Sequence, residues 1–384
     1  MTPLIDYSEQ MAELNSIPLP KGIRSRYIEG INGLHMHFLE AGYEQPGRPG
    51  VLLLHGFPEL AYSWRCVMQP LAQAGYHVIA PDQRGYGRTG GASRTYDCDL
   101  LTYRGLNLVR DALGLTQALG YQKITVVGHD FGSPVAAWCG LVRPDIFHRV
   151  VLMSSPFAGP PGLSESASRQ APRADATRLT DLDPPRQHYQ AYYRTPQANE
   201  NLWRAKQGVH AFMRAYYHMK SADWTDNEPF KLASSAPGEL AKMPNYYIMR
   251  AGVGMAETVA EHMPSASAVT ANTWLPDDAL SFYAQEYQRT GFQGGLNWYR
   301  GFHLAPEERE LFAGQTLDQP VLFIAGEADW GIYQASGAFE AMQNSVCSDF
   351  RGAFILPGAG HWVQQEQAHL TATLLQDFLA ETAD

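Results

Sequence analysis

An aspartate stands at the centre of Gly128-His-Asp-Phe-Gly132, where a β-branched run, Ile124-Thr-Val-Val127, gives way to Val135, Trp138, Cys139 and Val142 at helical spacing. The pattern predicts a buried strand turning sharply into a helix. Small residues two before and two after Asp130 let the two backbones approach and force the central side chain out at the helix N-terminus. A carboxylate there is charged at neutral pH and needs no base to become a nucleophile, and the positive helix end favours its anion. A lone Asp at such a turn also reads as an ordinary helix cap. Two more titratable residues follow short apolar runs: Asp329 after Val321-Leu-Phe-Ile-Ala325, and His361 after Ala353-Phe-Ile-Leu356. Singly, Asp329 reads as a cap and His361 as a core histidine. Together, a nucleophile, an acid and a histidine at three strand ends, in that order, form a hydrolytic triad. The strand ending at Met153 is followed by Ser154-Ser155, so Asp329 is the better orienting carboxylate. Phe57, in His55-Gly-Phe-Pro-Glu59 after Val51-Leu-Leu-Leu54, would present a backbone N–H to the same edge.

The elements that must hold these residues alternate strand and helix. Strands are expected at 51–54, 77–80, 124–127 and 149–153, with a helix over 99–119 and another ending before Pro144. That order predicts an α/β fold, a mostly parallel central sheet with helices on both faces, and ligands bind such sheets at the carboxyl ends of the strands. Before it, Asn32-Gly33 predicts a hairpin between 24–29 and 34–40. His35 and His37 alternate with Leu34, Met36 and Phe38, which puts both histidines on a solvated face. Asp82 and Arg84 sit in the Gly-rich turn 81–89, where polar pairs usually stabilise the turn itself. The rhythm breaks after Met153. Residues 156–185 are rich in Pro, Ser, Ala and Gly, and 186–300 show helical patches without a convincing buried strand. Ten of the 20 tyrosines fall between Tyr189 and Tyr299, the mark of a helical insertion lining an apolar cavity. The sheet resumes at Val321 and a last helix runs from about 368 to 380. The expected division is a core of 1–156 and 301–384 with a helical cap, or lid, over 157–300.

Composition limits the alternatives. The 384 residues are 45% hydrophobic and carry a net charge of −10, ordinary for a soluble globular protein and unsuited to nucleic acid or an anionic membrane. Four scattered cysteines read as reduced, packed thiols, and no spacing suggests a metal. Residues 1–10 lack a secretory apolar run and nothing approaches a membrane span, which places the expectation in the cytoplasm.

The chain resembles the epoxide hydrolases of the α/β-hydrolase fold and, more widely, their haloalkane dehalogenase relatives. The resemblance rests on His55–Glu59, Gly85-Tyr-Gly-Arg88, Gly128–Gly132, Gly326-Glu-Ala-Asp329 and Gly360-His-Trp362. In the insertion it rests on Phe282-Tyr283 and Gly291-Phe-Gln-Gly-Gly-Leu-Asn-Trp-Tyr-Arg300. It implies an Asp130 nucleophile, His361 as base oriented by Asp329, and an oxyanion hole from the N–H groups of Phe57 and Phe131. It maps one lid tyrosine to Tyr299 and the other to Tyr189, with Tyr192 and Tyr193 adjacent alternatives. It further implies a pocket including Pro58, Gln190, Trp298 and Trp362, no metal or organic cofactor, and a small hydrophobic epoxide and water as reactants for a monomer or homodimer. Two positions depart from the family pattern: Phe131 stands for a common Trp and Ser133-Pro134 for a Gly or Ala. The first removes an indole N–H that a dehalogenase uses to hold halide. The rivals are that dehalogenase, releasing halide without need of paired tyrosines, and a non-catalytic ligand-binding module on the same scaffold. A serine esterase is disfavoured because no Ser occupies the elbow.

Overall fold

The computed structural model describes residues 14–163 and 178–383. The leader reading of residues 1–10, and 164–177 of the Pro-rich excursion, lie outside the described residues.

Eight strands form one sheet: β1 (Ile23–Ile31), β2 (Leu34–Ala41), β3 (Gly50–Leu54), β4 (His77–Pro81), β5 (Ile124–His129), β6 (Phe147–Met153), β9 (Val321–Gly326) and β10 (Phe350–Leu356). β7 and β8 belong to the insertion described below. The spatial order is β1-β2-β4-β3-β5-β6-β9-β10. β2 runs antiparallel to both neighbours, and the remaining pairings are parallel. Every residue of β3, β5 and β9 is buried, because helices cover both faces. Alternation along each strand divides the core in two. Leu52, Leu54, Val126, Leu152 and Phe323 point to one side, with α2 (Gly105–Ala118), α3 (Gly132–Val142) and the aromatic insertion. Val51, Leu53, Val127, Met153 and Ile324 point to the other, with the helices Arg65–Gln73 and Ala368–Glu381, α1 and α10.

The insertion carries α4 (Tyr189–Tyr193), α5 (Gln197–Trp203), α6 (Gly208–Lys220), α7 (Asp277–Thr290) and α8 (Gln293–Gly301). Four details differ from expectation. The insertion contains a short antiparallel ribbon, β7 (Arg186–His188) with β8 (Ile248–Arg250), too brief for a periodicity to reveal. The helix expected over 99–119 is a 3₁₀ turn, Leu100–Tyr103, then α2, because Arg104 adopts extended backbone between them. His37 is buried, 1% exposed, with Nδ1 2.7 Å from Asp82 Oδ2 and Nε2 2.9 Å from Ser25 Oγ, since the turn after β4 folds over that face of β2. Asp82 also accepts the N–H groups of Ala61 and Arg88, and Arg84 forks onto Asp111, so both serve the turn. Of the thiols, Cys139 and Cys347 are buried but Cys66 is exposed rather than packed. Among the described residues no helix is long and apolar enough to cross a membrane.

Candidate active site

The turn from β5 to α3 is as tight as the two glycines require. A Cβ at Gly128 would strike the Gly132 carbonyl, and one at Gly132 would strike that of Leu54. Asp130, between them, has φ +51°, left-handed backbone that a non-glycine residue adopts only under constraint. Its side chain is thereby held at the carboxyl end of β5, beside the end of β3. Phe57, just past β3, donates its N–H to Asp130 Oδ1 at 2.9 Å.

Past β9, Asp329 Oδ1 accepts Nδ1–H of His361 at 3.0 Å and the N–H of Gly331 at 2.7 Å. Past β10, His361 turns Nε2 toward Asp130 Oδ2 at 3.2 Å. Both Asp329 and His361 are 1% exposed. The three residues singled out by type and order are thus in one continuous line. Burial pushes the Asp130 carboxyl up, but the hydrogen bond and charge of His361, backed by Lys220 and His129, hold it well below the usual range. Asp329 is lowered in the same contest, burial against the charge and hydrogen bond of His361. Burial and the Lys220 ammonium push His361 down, and Asp329 and Asp130 more than offset them, so it sits above an ordinary imidazole.

Tyr189 and Tyr299 pack edge to face with ring centroids 5.9 Å apart, each 5% exposed, and Tyr299 rests on Phe131, the neighbour of Asp130. Burial, with the Asp130 charge nearby, keeps both phenols well above their usual value, so both are neutral O–H donors. Tyr189 Oη donates to Gln334 Oε1 and accepts from Gln190 Nε2, each at 3.2 Å. Tyr193 packs on Tyr299 at 5.1 Å but its hydroxyl pairs with Tyr216, whereas Tyr192 lines a groove with Gln187 and Asn201. The Phe131 ring is wedged among Trp298, Tyr299 and Phe302. Of the expected pocket residues, Trp298 gives its indole N–H to the Arg84 carbonyl and Trp362 gives its own to the Tyr217 carbonyl, both at 2.8 Å. Neither indole N–H is left to donate to a ligand. Pro58 accepts the Tyr217 hydroxyl on its carbonyl at 3.2 Å.

Several residues that shape the site went unassigned from sequence. Glu59, wholly buried, lies 2.6 Å from His129 Nδ1 and also accepts from Gln364 and Gln365. His129 Nε2 in turn faces the His361 carbonyl at 2.7 Å, so its ring bridges Glu59 and the histidine loop. Both residues sit inside motifs read for their neighbours, which was the available signal. Lys220, 3% exposed, lies over the rings of Tyr216, Tyr247 and Trp362 at 5.2–5.5 Å. Nothing in its local sequence marks it, and nothing marks Gln334. No group of three or more His, Cys, Asp or Glu able to hold a metal occurs among the described residues.

A buried carboxylate backed by a His–Asp pair and roofed by two neutral phenols can attack carbon, donate to the departing oxygen and activate water. The comparisons agree. The alpha/beta hydrolase fold family model matches residues 49–368. Epoxide hydrolase A of Mycobacterium tuberculosis is 33% identical over 92% of this chain and 97% of its own. Among solved structures, an epoxide hydrolase from an endophytic Streptomyces superposes with a TM-score of 0.73 at 30% identity, covering 94% of this chain and 96% of its own. Epoxide hydrolase A from Mycobacterium thermoresistibile gives 0.71 at 32%, covering 93% and 98%. With a family model across most of its length and relatives a third identical from end to end, this chain belongs to the epoxide hydrolases of the α/β-hydrolase fold.

Proposed function

We propose that the protein adds water to the oxirane of a small hydrophobic epoxide, giving a vicinal diol through an ester on Asp130. The observation that carries this is the single line Asp329–His361–Asp130, with the neutral phenols of Tyr189 and Tyr299 near enough to feel the Asp130 charge. Asp130 Oδ2 attacks a ring carbon while the C–O bond breaks and the two phenols donate to the leaving oxygen, Tyr189 turning its O–H away from Gln334 to do so. Oδ1, already held by the Phe57 N–H, becomes the ester carbonyl oxygen. His361, its Nδ1 fixed by Asp329, takes a proton from water through Nε2, and the hydroxide adds to the ester carbon of Asp130. The N–H groups of Phe57 and Phe131 hold the resulting oxyanion, each such donor contributing about 3–4 kcal/mol in hydrolases of this kind. On collapse His361 returns its proton to the departing ester oxygen, the proton left on the added oxygen replaces the one the phenols gave to the ring oxygen, and the diol leaves with the Asp130 carboxylate restored. The same reading assigns 157–300 to a cap over a core of 1–156 and 301–384.

One turnover in ¹⁸O-water tests it. Label in the Asp130 carboxylate, found by mass analysis of its peptide, is the expected result, and label in the diol alone would refute the ester. Halide release is not expected, since the indole N–H groups of Trp298 and Trp362 are spent on carbonyls and Phe131 has none to offer.

A further inference from the structure

The loop between β10 and α9 (Val363–Glu366) carries His361 with no secondary structure of its own, so its backbone polar groups need partners elsewhere. They find them in the insertion. The N–H of His361 donates to the Lys220 carbonyl at 2.8 Å, and the Trp362 indole reaches Tyr217 on α6. A Cβ at Gly360 would strike the backbone of Lys220 and Ser221, so loop and insertion lie flush. The two N–H groups on either side of His361 converge on one side chain. Gly360 donates to Glu366 Oε2 and Trp362 to Oε1, both at 2.9 Å. A third donor, the N–H of Ala222 just past α6, reaches Oε2 at 2.8 Å. A carboxyl group has two oxygens with lone pairs enough for all three donors; burial pushes it up to about 8 while the donors draw it toward the anion, and among the described residues only Glu366 touches both the histidine loop and the insertion in this way.

We infer that Glu366 is a positioning residue for ester hydrolysis, tying the loop that bears His361 to Ala222 and so fixing the ring over Asp130. This rests on the two-step reaction proposed above. The first step needs the Asp130 carboxylate and the two phenols; of these only Asp130 touches the loop, through His361 at 3.2 Å, and its Oδ1 is held independently by the Phe57 N–H. The second needs His361 Nε2 aimed at a water beside the ester, and a displacement of about 1 Å at such a group costs on the order of a hundredfold. Loss of the clamp therefore slows the second step selectively, which a general loosening of the fold would not do.

Rapid-quench single turnovers of styrene oxide, with the Asp130 peptide quantified by mass, separate the steps in wild type, Glu366→Ala and Glu366→Gln. E366A should form ester within about threefold of the wild-type rate and hydrolyse it at least about tenfold more slowly, so that ester accumulates. E366Q keeps one acceptor oxygen and should show the same selectivity with a smaller loss; it serves alone should E366A not fold. Parallel loss of both steps, or unchanged hydrolysis, overturns the inference. Absence of ester in the wild type would instead overturn the reaction on which it rests, and the wild-type lane reports that separately.

Discussion

Asp130 and His361 hold each other in opposite states, and the sign of each shift predicts how the two half-reactions respond to pH. The Asp130 carboxyl is depressed, so its attacking anion persists well into acid. His361 is raised in the free enzyme, partly by Asp130, and esterification removes that carboxylate charge while burial and Lys220 remain. The histidine thus becomes less basic when it must accept a proton. Lowering the pH until it is protonated should leave ester formation nearly constant while hydrolysis falls about tenfold per unit, so ester builds up in acid. Stopped-quench rates between pH 5 and 8 check this; equal slopes for both steps would count against it. The phenols belong to the other half. Changing Tyr189 and Tyr299 together to Phe should cut ester formation by about 10²–10⁴-fold, with hydrolysis of any ester little affected. That Asp130, Asp329 and His361 would share one sheet edge was legible from residue types, strand ends and their order. Gln334 and Lys220 were not, because their roles arise from positions in space that their neighbours in sequence do not encode.

At the scale of elements, the elbow is a packing problem before it is a catalytic one. Gly132→Ala places a methyl against the Leu54 carbonyl, and β3 cannot move away because β4 and β5 hold it on both sides. The expected cost is about 1–3 kcal/mol, read as a lower urea midpoint at unchanged slope, with Asp130 displaced and activity lost at temperatures where the protein remains folded. The strands around this turn were readable because full burial writes a continuous apolar run into the sequence. Two elements were less so. Alternation in β2 gives the two faces of the strand but not what lies on each, and the turn carrying Asp82 turned a face expected to be wet into a buried one at His37. The ribbon of β7 and β8 is three residues a side, shorter than any period can register, yet its end delivers Tyr189: the Tyr189 N–H bonds the Tyr247 carbonyl at 2.8 Å.

Across the whole molecule, the insertion is fastened to the sheet by buried polar contacts as well as by aromatic packing. Tyr283 and Ser63 hydroxyls meet at 2.7 Å, Arg65 reaches the Trp274 carbonyl, and the Tyr217 ring stacks on Trp362 at 4.2 Å. The ion pair Arg88–Glu286, at 2.9 Å with side chains 8% and 6% exposed, joins the turn after β4 to α7. Arg88 also gives its backbone N–H to Asp82, so the same turn is anchored to both layers. Truncating one partner of such a pair strands the other charge. Glu286→Ala should therefore cost about 3–5 kcal/mol, while replacing both residues with Met should recover most of it, since a buried pair often adds little over well-packed apolar groups. Because the site is completed by residues from both layers, the lost stability should appear in one cooperative transition, with tryptophan fluorescence and far-UV dichroism coincident. Separate transitions in E286A would mean that the insertion loosens on its own. Ester formation, which needs Tyr189 and Tyr299 overhead, would then fail at denaturant concentrations where the sheet is still intact.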